Sequence, residues 1–453
     1  MSDLRTGCVP RPVRAFFTLG GVAAALTAAA APLVFAAPAN AAVAVPSAQG
    51  QGITDFYAAR GGAPLWFEFG QPSDAARLLI ETIGTAQVDG LEPGRYRLAE
   101  VTGPLRSAWG GNGRAVRKAD MLLSQAFVSY VRDLRHASGT GTIFVDRELQ
   151  PGPPSPRAIL EAAARAPSLA DYVARMGWMN PTYGQLRQAL AHQHYSSEAE
   201  RRILALNLER ARDLPAGRGR YVVVNAAAQR LYMYENGQVV DSMRVVVGKT
   251  KNPTPMMAAY IRFAALNPYW NVPPDLAAER IAPNVVKGGV KYLKSLGYEV
   301  LSDWSDHASI VDPTTIDWKG VADGSVEIRV RQLPGPHNSM GRMKFMFPNE
   351  QGIYLHDTPD KELLTEASRL FSGGCIRLED APRLGAWLFG ESLETEGAGT
   401  EQAVPLPQPV PVYVTYLTAE PNGSSVAYFN DIYGRDTARL AGLPSGSLAA
   451  AGQ

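Results

Sequence analysis

The sequence predicts an α+β fold, in which an all-α N-terminal region is followed by a β-rich region. In the first half apolar residues recur at helical spacing, whereas after Gly217 they form short alternating or β-branched runs. With 453 residues, 46% of them hydrophobic and 19% charged, the chain can form two or three domains with sizeable cores. We therefore expect a helical domain over residues 42–216 and a β-rich domain over residues 217–440.

The helices of the first domain are predicted from segments in which apolar residues repeat every three or four positions. Loops separate these segments, and one of them, Gln150–Pro156, is too rich in proline and glycine to lie inside a helix. The predicted helices include Ala75–Ile83, Met121–Leu134, Tyr183–Leu190 and Ile203–Leu214.

The strands of the second domain are predicted from β-branched runs and from one clear hairpin. Asn236-Gly237 is a strong signal for a two-residue turn between two such runs. A loop-rich insertion at about residues 274–325, with helical pieces such as Lys291–Leu296, interrupts the domain. The predicted strands are Tyr221–Asn225, Arg230–Tyr234, Val239–Val247, Val326–Arg331, Met343–Phe347, Ile353–Leu355 and, after the proline-rich segment 405–411, Pro411–Leu417.

Both ends of the chain are predicted to lie outside the folded domains. Residues 1–41 have the pattern of a secretory signal peptide, with Arg11 and Arg14 before an Ala-rich apolar run and a small-residue cleavage site at Ala39–Ala41. The apolar run is also long enough to be an uncleaved membrane anchor, which is the alternative. Residues 441–453 are rich in Ser, Gly and Ala and are predicted to be disordered.

Charge and motif content argue against two classes of function. Without residues 1–41 the chain keeps 41 basic and 42 acidic residues and has no basic cluster, so nucleic-acid binding is not expected. His192 and His194 would point apart on a helix, which argues against a metal site there. The sequence also lacks Cys-x-x-Cys, His-Glu-x-x-His and phosphate-loop motifs.

Cys375 is the candidate nucleophile. Cys8 precedes the cleavage site, so an exported chain would keep one thiol, which cannot form an internal disulfide. Cys375 follows Gly373 and Gly374 and lies 19 residues after His356, a candidate general base at the end of an apolar strand. The alternatives are that Cys375 is a small buried apolar residue and that His356 is a hydrogen-bonded core histidine.

The backbone around Cys375 is suited to thiol chemistry. The N–H groups of Gly374 and Cys375 could point at a developing oxyanion. Residues Ile376–Leu388 are predicted to be helical, which would place a thiolate at the positive end of a helix dipole.

Two further side chains have open roles. Arg377 could bind a substrate carboxylate, or it could form an ion pair with Glu379 or Asp380. His337, in a Pro-Gly-Pro-His loop, is the rival of His356 as the general base.

Two segments closely resemble the active-site motif of the L,D-transpeptidases of the YkuD fold. They are Leu355–Pro359, with the sequence LHDTP, and Phe371–Arg377, with the sequence FSGGCIR. In that family a histidine precedes a Ser-x-Gly-Cys-x-Arg motif in one β-rich catalytic domain. Further segments resemble the large periplasmic YcbB-like branch: Asn267–Pro273, Pro334–Gly341, Phe345–Asn349 and Asp431–Asp436 in the catalytic half, and Tyr57–Trp66, Asp89–Pro93 and Leu206–Arg210 in the N-terminal scaffold.

The resemblance implies a role for each residue of the motif. Cys375 would be the acylated nucleophile and His356 its base, and the N–H groups of Gly374 and Cys375 would form the oxyanion hole. The insertion at about 274–325 corresponds by position to a substrate-capping subdomain. The residues expected to contact substrate are Arg377, Tyr354 and Trp270.

The sequence departs from the family pattern at two places. Gly373 occupies a position at which many members carry His or Ser, so no second histidine can assist the nucleophile here. No peptidoglycan-binding repeat is visible between Pro181 and Leu214, where the large branch usually carries one.

The implied function is that of a periplasmic L,D-transpeptidase that uses peptidoglycan stem peptides as donor and acceptor, without a metal or organic cofactor. The usual product would be a 3–3 crosslink, although another acceptor, including position one, is open. Carbapenem-type β-lactams should acylate Cys375. Two other functions remain as alternatives: an L,D-carboxypeptidase or endopeptidase that hydrolyses the same thioester, and a non-catalytic wall-binding scaffold protein.

Overall fold

The computed structural model describes residues 48–108, 112–217, 219–393 and 400–442. The predicted signal peptide, residues 1–41, lies outside the described residues, as does the predicted tail beyond residue 442. Within the described part of the chain, no helix combines the length and the apolar character needed to span a bilayer.

The N-terminal half is mainly helical, as the apolar periodicity predicts. Polar side chains cap the helix starts, and Asn112 is one example, because its Oδ1 accepts the N–H of Ala115 at 3.2 Å. This cap begins its helix at Gly113, well before the predicted start at Met121. The helices are α1 (Ala48–Ala59), α2 (Asp74–Gly84), α3 (Leu98–Ala108), α4 (Gly113–Leu134), α5 (Pro156–Ala164), α6 (Leu169–Ala174), α7 (Pro181–Ala191) and α8 (Glu198–Ala211).

This half is not purely α-helical, because it also holds short strands. β1 (Phe67–Glu68) and β2 (Gln71–Pro72) form a small hairpin after α1. β3 (Ile143–Phe144) pairs in parallel with a strand of the second half, opposite Met257 and Ala258. Two-residue strands show no periodicity, so the sequence pattern could not indicate them.

A buried carboxylate ties helices α4 and α7 to the chain that follows α2. Asp89 is 3% exposed, and its carboxylate accepts hydrogen bonds from the hydroxyl groups of Tyr130 at 2.7 Å and Tyr183 at 2.8 Å. Arg187 donates to the same carboxylate from Nε at 2.9 Å. A buried charge is stable only when it is paired and hydrogen-bonded in this way, so the network fixes how these elements meet.

The second half is β-rich, as predicted, and its strands form a barrel, a smaller sheet and a hairpin. In chain order the strands are β4 (Tyr221–Asn225), β5 (Arg230–Glu235), β6 (Gln238–Gly248), β7 (Met257–Leu266), β8 (Trp270–Val272), β9 (Tyr298–Leu301), β10 (Ile310–Val311), β11 (Arg329–Gln332), β12 (Met343–Met346), β13 (Leu355–His356), β14 (Leu370–Ser372), β15 (Ile376–Leu378), β16 (Gln402–Thr415), β17 (Ala419–Asn422) and β18 (Ser425–Tyr428). The helices of this half are α9 (Pro274–Leu276), α10 (Ala282–Gly288), α11 (Lys291–Ser295), α12 (Trp318–Asp323), α13 (Ala381–Phe389) and α14 (Arg435–Ala441).

The barrel is a closed sheet. Its strands follow the order β12, β13, β15, β6, β5, β4, β16 and β7, and the pairing of β12 with β7 closes the ring. The predicted hairpin between β5 and β6 is confirmed, because Asn236 and Gly237 have φ angles of +51° and +77°. Positive φ at both central residues is what a type I′ turn requires.

The barrel wall at β4 also forms the interface with the helical half. Val222 and Val224 pack in the barrel core, while Tyr221 and Val223 pack in the core of the helical half. Because both faces of this strand are buried, its sequence is continuously apolar instead of alternating.

The insertion is a compact subdomain with its own sheet and core, which we call the cap; it comprises β8 to β11 and α9 to α12. Its sheet has the order β10, β9, β11 and β8, and its core includes Val272, Val300, Trp318 and Val330. The predicted strand Val326–Arg331 is shorter, at β11, and belongs to this sheet. Alternation along a strand indicates that it is half-buried, but not which sheet it joins.

The predicted helix Ile376–Leu388 is wrong in its first part. Ile376–Leu378 is strand β15, and α13 begins only at Ala381, because the Asp380 side chain accepts the N–H of Arg383 at 3.0 Å and caps the helix there. Cys375 therefore precedes a strand, and the helix-dipole argument for its thiolate does not apply.

Candidate active site

Two neighbouring parallel strands bring the predicted catalytic side chains to one face. β13 and β15 pair with Leu355 opposite Ile376 and with His356 opposite Arg377. Leu355 and Ile376 are fully buried in the barrel core. Because side chains alternate along a strand, the flanking residues point to the other face of the sheet. The residues that flank Leu355 are Tyr354 and His356, and those that flank Ile376 are Cys375 and Arg377.

Two hydroxyl groups fix the loop that carries the thiol. Ser372 Oγ donates to the carbonyl oxygen of Cys375 at 2.6 Å and accepts the N–H of Gly374 at 3.1 Å. Thr254 Oγ1 donates to the carbonyl oxygen of Gly374 at 2.7 Å and accepts the N–H of Gly248 at 2.9 Å. Gly374 has a φ of +123°, a conformation that other residues rarely adopt. The loop is therefore held on both sides of the thiol-bearing residue.

His356 is positioned as an uncharged base. The residue is 2% exposed, and its Nδ1 donates to the carbonyl oxygen of Asp357 at 2.5 Å. A carbonyl oxygen can only accept, so Nδ1 carries the hydrogen and Nε2 of the neutral ring keeps its lone pair. Burial, together with the neighbouring Arg377 charge, lowers the pKa of His356 to about 3. The imidazole is therefore neutral at physiological pH.

The thiol of Cys375 is half-buried and is also neutral at rest. Burial raises the pKa of Cys375, although hydrogen bonds from Tyr354 and the charge of Arg377 partly offset this effect. The thiol donates to the carbonyl oxygen of Gly352 at 3.5 Å. Among the described residues, no hydrogen bond joins it directly to His356. A neutral thiol and a neutral imidazole therefore line the same cavity.

Tyr354 lies beside both groups. Its ring centroid is 5.7 Å from that of His356, and burial, reinforced by Cys375, raises the pKa of Tyr354 well above its usual range. The hydroxyl group therefore keeps its proton and can act as a hydrogen-bond donor to sulfur.

Arg377 is buried against an acidic partner that the sequence did not indicate. The residue is 9% exposed, and Nη1 donates to Asp360 Oδ2 at 2.9 Å. The two partners proposed from the sequence bind elsewhere, since Glu379 pairs with Arg244 and Asp380 with Arg383. Arg377 thus contributes a positive field beside the thiol, while Asp360 already occupies one of its terminal nitrogens.

A cavity of about 350 Å³ is lined by Tyr354, His356, Cys375 and Arg377. Its other wall comes from the cap, which contributes Trp270, Leu276 and Arg280. This volume lies within the range of sites for small ligands and peptide ends. His337, the rival base, is exposed and does not line this cavity, so His356 is the histidine that the fold brings to Cys375.

The predicted oxyanion donors differ in their present hydrogen bonds. The N–H of Gly374 already donates to Ser372 Oγ. No hydrogen bond from the N–H of Cys375 is found within the described residues. Sequence reasoning missed Thr254, Asp360 and Arg280, because each reaches the site through long-range packing and none belongs to the local motif.

Two parts of the chain match models of known protein families. Residues 219–394 match the family model described as the YkuD L,D-transpeptidase catalytic domain, and residues 51–190 match a model described as a scaffold domain. The chain is 29% identical over 392 residues to a Haemophilus influenzae protein named "Putative L,D-transpeptidase", with 84% of this chain and 77% of that protein covered.

A solved structure, the Ldtfm-avibactam carbamoyl enzyme, is 16% identical to this chain. The match covers 45% of this chain and only 51% of that chain, and its TM-score is 0.20.

Proposed function

We propose that the protein crosslinks peptidoglycan stem peptides through a thioester on Cys375, since residues 219–394 match the model of the YkuD L,D-transpeptidase catalytic domain. The supporting observation is the register of β13 and β15, since it gathers a thiol, a neutral imidazole and a buried guanidinium in one cavity. These are the groups that nucleophilic acyl transfer needs.

Acylation begins with proton transfer within this set. The thiol turns from Gly352, and Nε2 of His356 takes its proton as sulfur attacks the carbonyl carbon at the L-configured centre of the donor's diamino acid. The carbonyl π electrons move to oxygen, and the N–H of Cys375 donates to that oxyanion. When the intermediate collapses, the C–N bond breaks, the D-residue leaves as an amine with the proton from His356, and a thioester remains.

Deacylation repeats these steps with an acceptor amine. Nε2 of His356 takes a proton from the attacking amine, a new amide bond forms, and the C–S bond breaks. The thiolate then recovers the proton from His356, which restores the neutral pair. The buried Arg377 stabilises the thiolate at each stage at which sulfur carries negative charge.

The proposed location follows from the substrate. Peptidoglycan stem peptides lie outside the inner membrane, so the enzyme acts in the periplasm after removal of residues 1–41. The side-chain amine at stem position three is the expected acceptor and gives 3–3 links. The alternative acceptor is the amine at position one.

Product analysis tests this function. Purified full-length protein is incubated with tetrapeptide muropeptides, and the products are identified by tandem mass spectrometry. We expect crosslinked dimers with the protein and none with Cys375→Ala. Trimmed monomers alone would show a hydrolase, and unchanged muropeptides with both proteins would leave a non-catalytic wall-binding role.

A further inference from the structure

The cap contributes one charged side chain to the catalytic cavity that the mechanism above does not use. Arg280 lines the cavity together with Cys375 and His356. It lies in the π-helical segment Ala277–Ile281, between α9 and α10. π-Helical turns are rare and are frequent at functional sites, so this segment is a place to look for a functional side chain.

The cap segment is held directly over the nucleophile loop. A Cβ atom placed on Gly373 would lie 3.7 Å from Leu276 Cδ1, which puts the start of the π-helical segment in contact range of the loop. Lys251, in the loop after β6, pairs with Glu279 at 2.8 Å. The neighbour of Arg280 in sequence is thus bound to the barrel.

Among the described residues, two other charged side chains near the catalytic cavity already have ion-pair partners. Glu279 is occupied by Lys251, and Arg377 is occupied by Asp360. Within the described residues, no hydrogen bond or ion pair joins the guanidinium of Arg280 to the protein. Asp275 also lines the cavity, and among the described residues no ion pair joins it to Arg280.

We infer that Arg280 is a specificity-determining residue that binds a carboxylate of the donor stem peptide. This inference rests on the proposed function, in which a terminal D-residue leaves and therefore presents a free carboxylate next to the scissile bond. A planar guanidinium binds a carboxylate through two parallel hydrogen bonds, whereas a neutral amide cannot form that charge-assisted pair. Arg377 is the weaker candidate for this role, because Asp360 holds it and it is buried.

The test removes the positive charge from the protein and, separately, the negative charge from the donor. Acylation of Cys375 in the full-length protein is followed by intact-protein mass spectrometry with three donors. The first has a free terminal carboxylate, the second has that carboxylate amidated, and the third has the carboxylate of the diamino acid amidated. The variants are Arg280→Ala and Arg280→Lys, with Lys287→Ala as a control that removes one positive charge from the same cap outside the cavity.

We expect Arg280→Ala to lower the kcat/KM of acylation by about 10- to 100-fold with the unmodified donor, the range for loss of a hydrogen bond to a charged group. With one of the two amidated donors the loss should be small, because the group that Arg280 binds has already been neutralised. That donor identifies the carboxylate that Arg280 binds. Arg280→Lys should recover part of the activity, and Lys287→Ala should match the native protein.

The outcomes separate this inference from the proposed function. If the native protein is acylated by the unmodified donor and Arg280→Ala loses the same factor with all three donors, or loses nothing, the inference is wrong. If the native protein is acylated by no donor, the proposed function fails first. Should Arg280→Ala fold poorly, Arg280→Gln keeps much of the aliphatic stem and removes the charge, and the same comparison of donors applies.

Discussion

His356 donates its Nδ1 hydrogen to the carbonyl oxygen of Asp357, its neighbour in the chain, at 2.5 Å. This contact selects the tautomer whose free lone pair is on Nε2, which is the form that a general base requires. A backbone carbonyl thus has the orienting role that a carboxylate has in many catalytic triads. This hydrogen bond raises the pKa of the ring, but burial and the charge of Arg377 lower the pKa by more.

Substitution of His356 should slow acylation without preventing thiol reactivity at high pH. We expect His356→Gln to lower the rate of acylation of Cys375 at neutral pH by about 10²- to 10⁴-fold, the usual contribution of a positioned base. The rate in the variant should rise with pH into the range in which the buried thiol ionises by itself. Stopped-flow acylation with a carbapenem across a pH series measures this. An unchanged rate at neutral pH would show that another group deprotonates Cys375.

Protonation of His356 in the unfolded chain should favour unfolding in acid. The pKa of His356 is about 3 in the folded protein, against an ordinary value of about 6.5 in the unfolded chain. Between these values the unfolded state binds a proton that the native state does not, so stability is present above pH ~6.5 and is lost as the pH falls toward ~3. Two pH units below ~6.5 should remove about 2 kcal/mol of the free energy of unfolding.

Denaturant melts of the native protein and of His356→Gln at pH ~6.5 and ~4.5 isolate this effect. The native protein should lose more stability than the variant, by about the amount given above. Equal losses in the two proteins would place the acid sensitivity elsewhere.

The hydroxyl group of Thr254 should matter for the position of the thiol. It is fully buried and bridges the N–H of Gly248 and the carbonyl oxygen of Gly374. Thr254→Val keeps the shape but leaves both backbone groups without a partner, which should cost about 1–3 kcal/mol of stability. We also expect a fall of about 10- to 100-fold in acylation rate, because the loop before Cys375 is no longer fixed.

Thr254→Ser is the matched control for this substitution, because it keeps the hydroxyl group and removes only a methyl group. Its acylation rate should lie close to that of the native protein. If the serine and valine variants lose activity equally, packing of the methyl group, and not the hydrogen bonds, determines the effect.

The Asp89 network should dominate the stability of the helical half. Asp89→Ala leaves the guanidinium of Arg187 buried without its partner, and we expect a loss of about 3–5 kcal/mol in the free energy of unfolding. Asp74→Ala removes a carboxylate of an exposed ion pair with Arg77 and should change the free energy of unfolding by less than about 1 kcal/mol. Similar losses in the two variants, measured by urea unfolding, would contradict this difference.

The sequence predicted the elements whose signals are local. Asn236-Gly237 specified its own turn, and the spacing of apolar residues indicated helices such as α4. The prediction from sequence was wrong where pairing with strands distant in the chain determines the conformation. Ile376–Leu378 became a strand because β13 and β6 lie on either side of it. The proline-rich segment 405–411 lies inside β16 and not before it, with an irregularity between Pro405 and Val410.

In the candidate site too, the sequence predicted the residues that belong to local motifs and missed those that tertiary contacts bring in. Cys375 and His356 were found because they belong to short motifs with recognisable chemistry. Thr254 contacts the loop that carries Cys375, and Asp360 contacts Arg377. Both contacts depend on tertiary structure, which no local sequence pattern specifies. The assignment of Arg377 to Glu379 or Asp380 followed sequence proximity, whereas Arg377 pairs with Asp360, which precedes it by 17 residues in the chain.

The central claim is that Cys375 forms a thioester with substrate. Full-length protein carrying Cys8→Ser has one thiol, so an adduct on sulfur has one possible location. The decisive measurement is intact-protein mass spectrometry of this protein, and of the same protein with Cys375→Ala, after brief incubation with a tetrapeptide donor. We expect a mass increase equal to the acyl part of the donor in the first protein and none in the second. A folded first protein that converts the donor without any mass increase, or crosslinked product from the second, would contradict the claim.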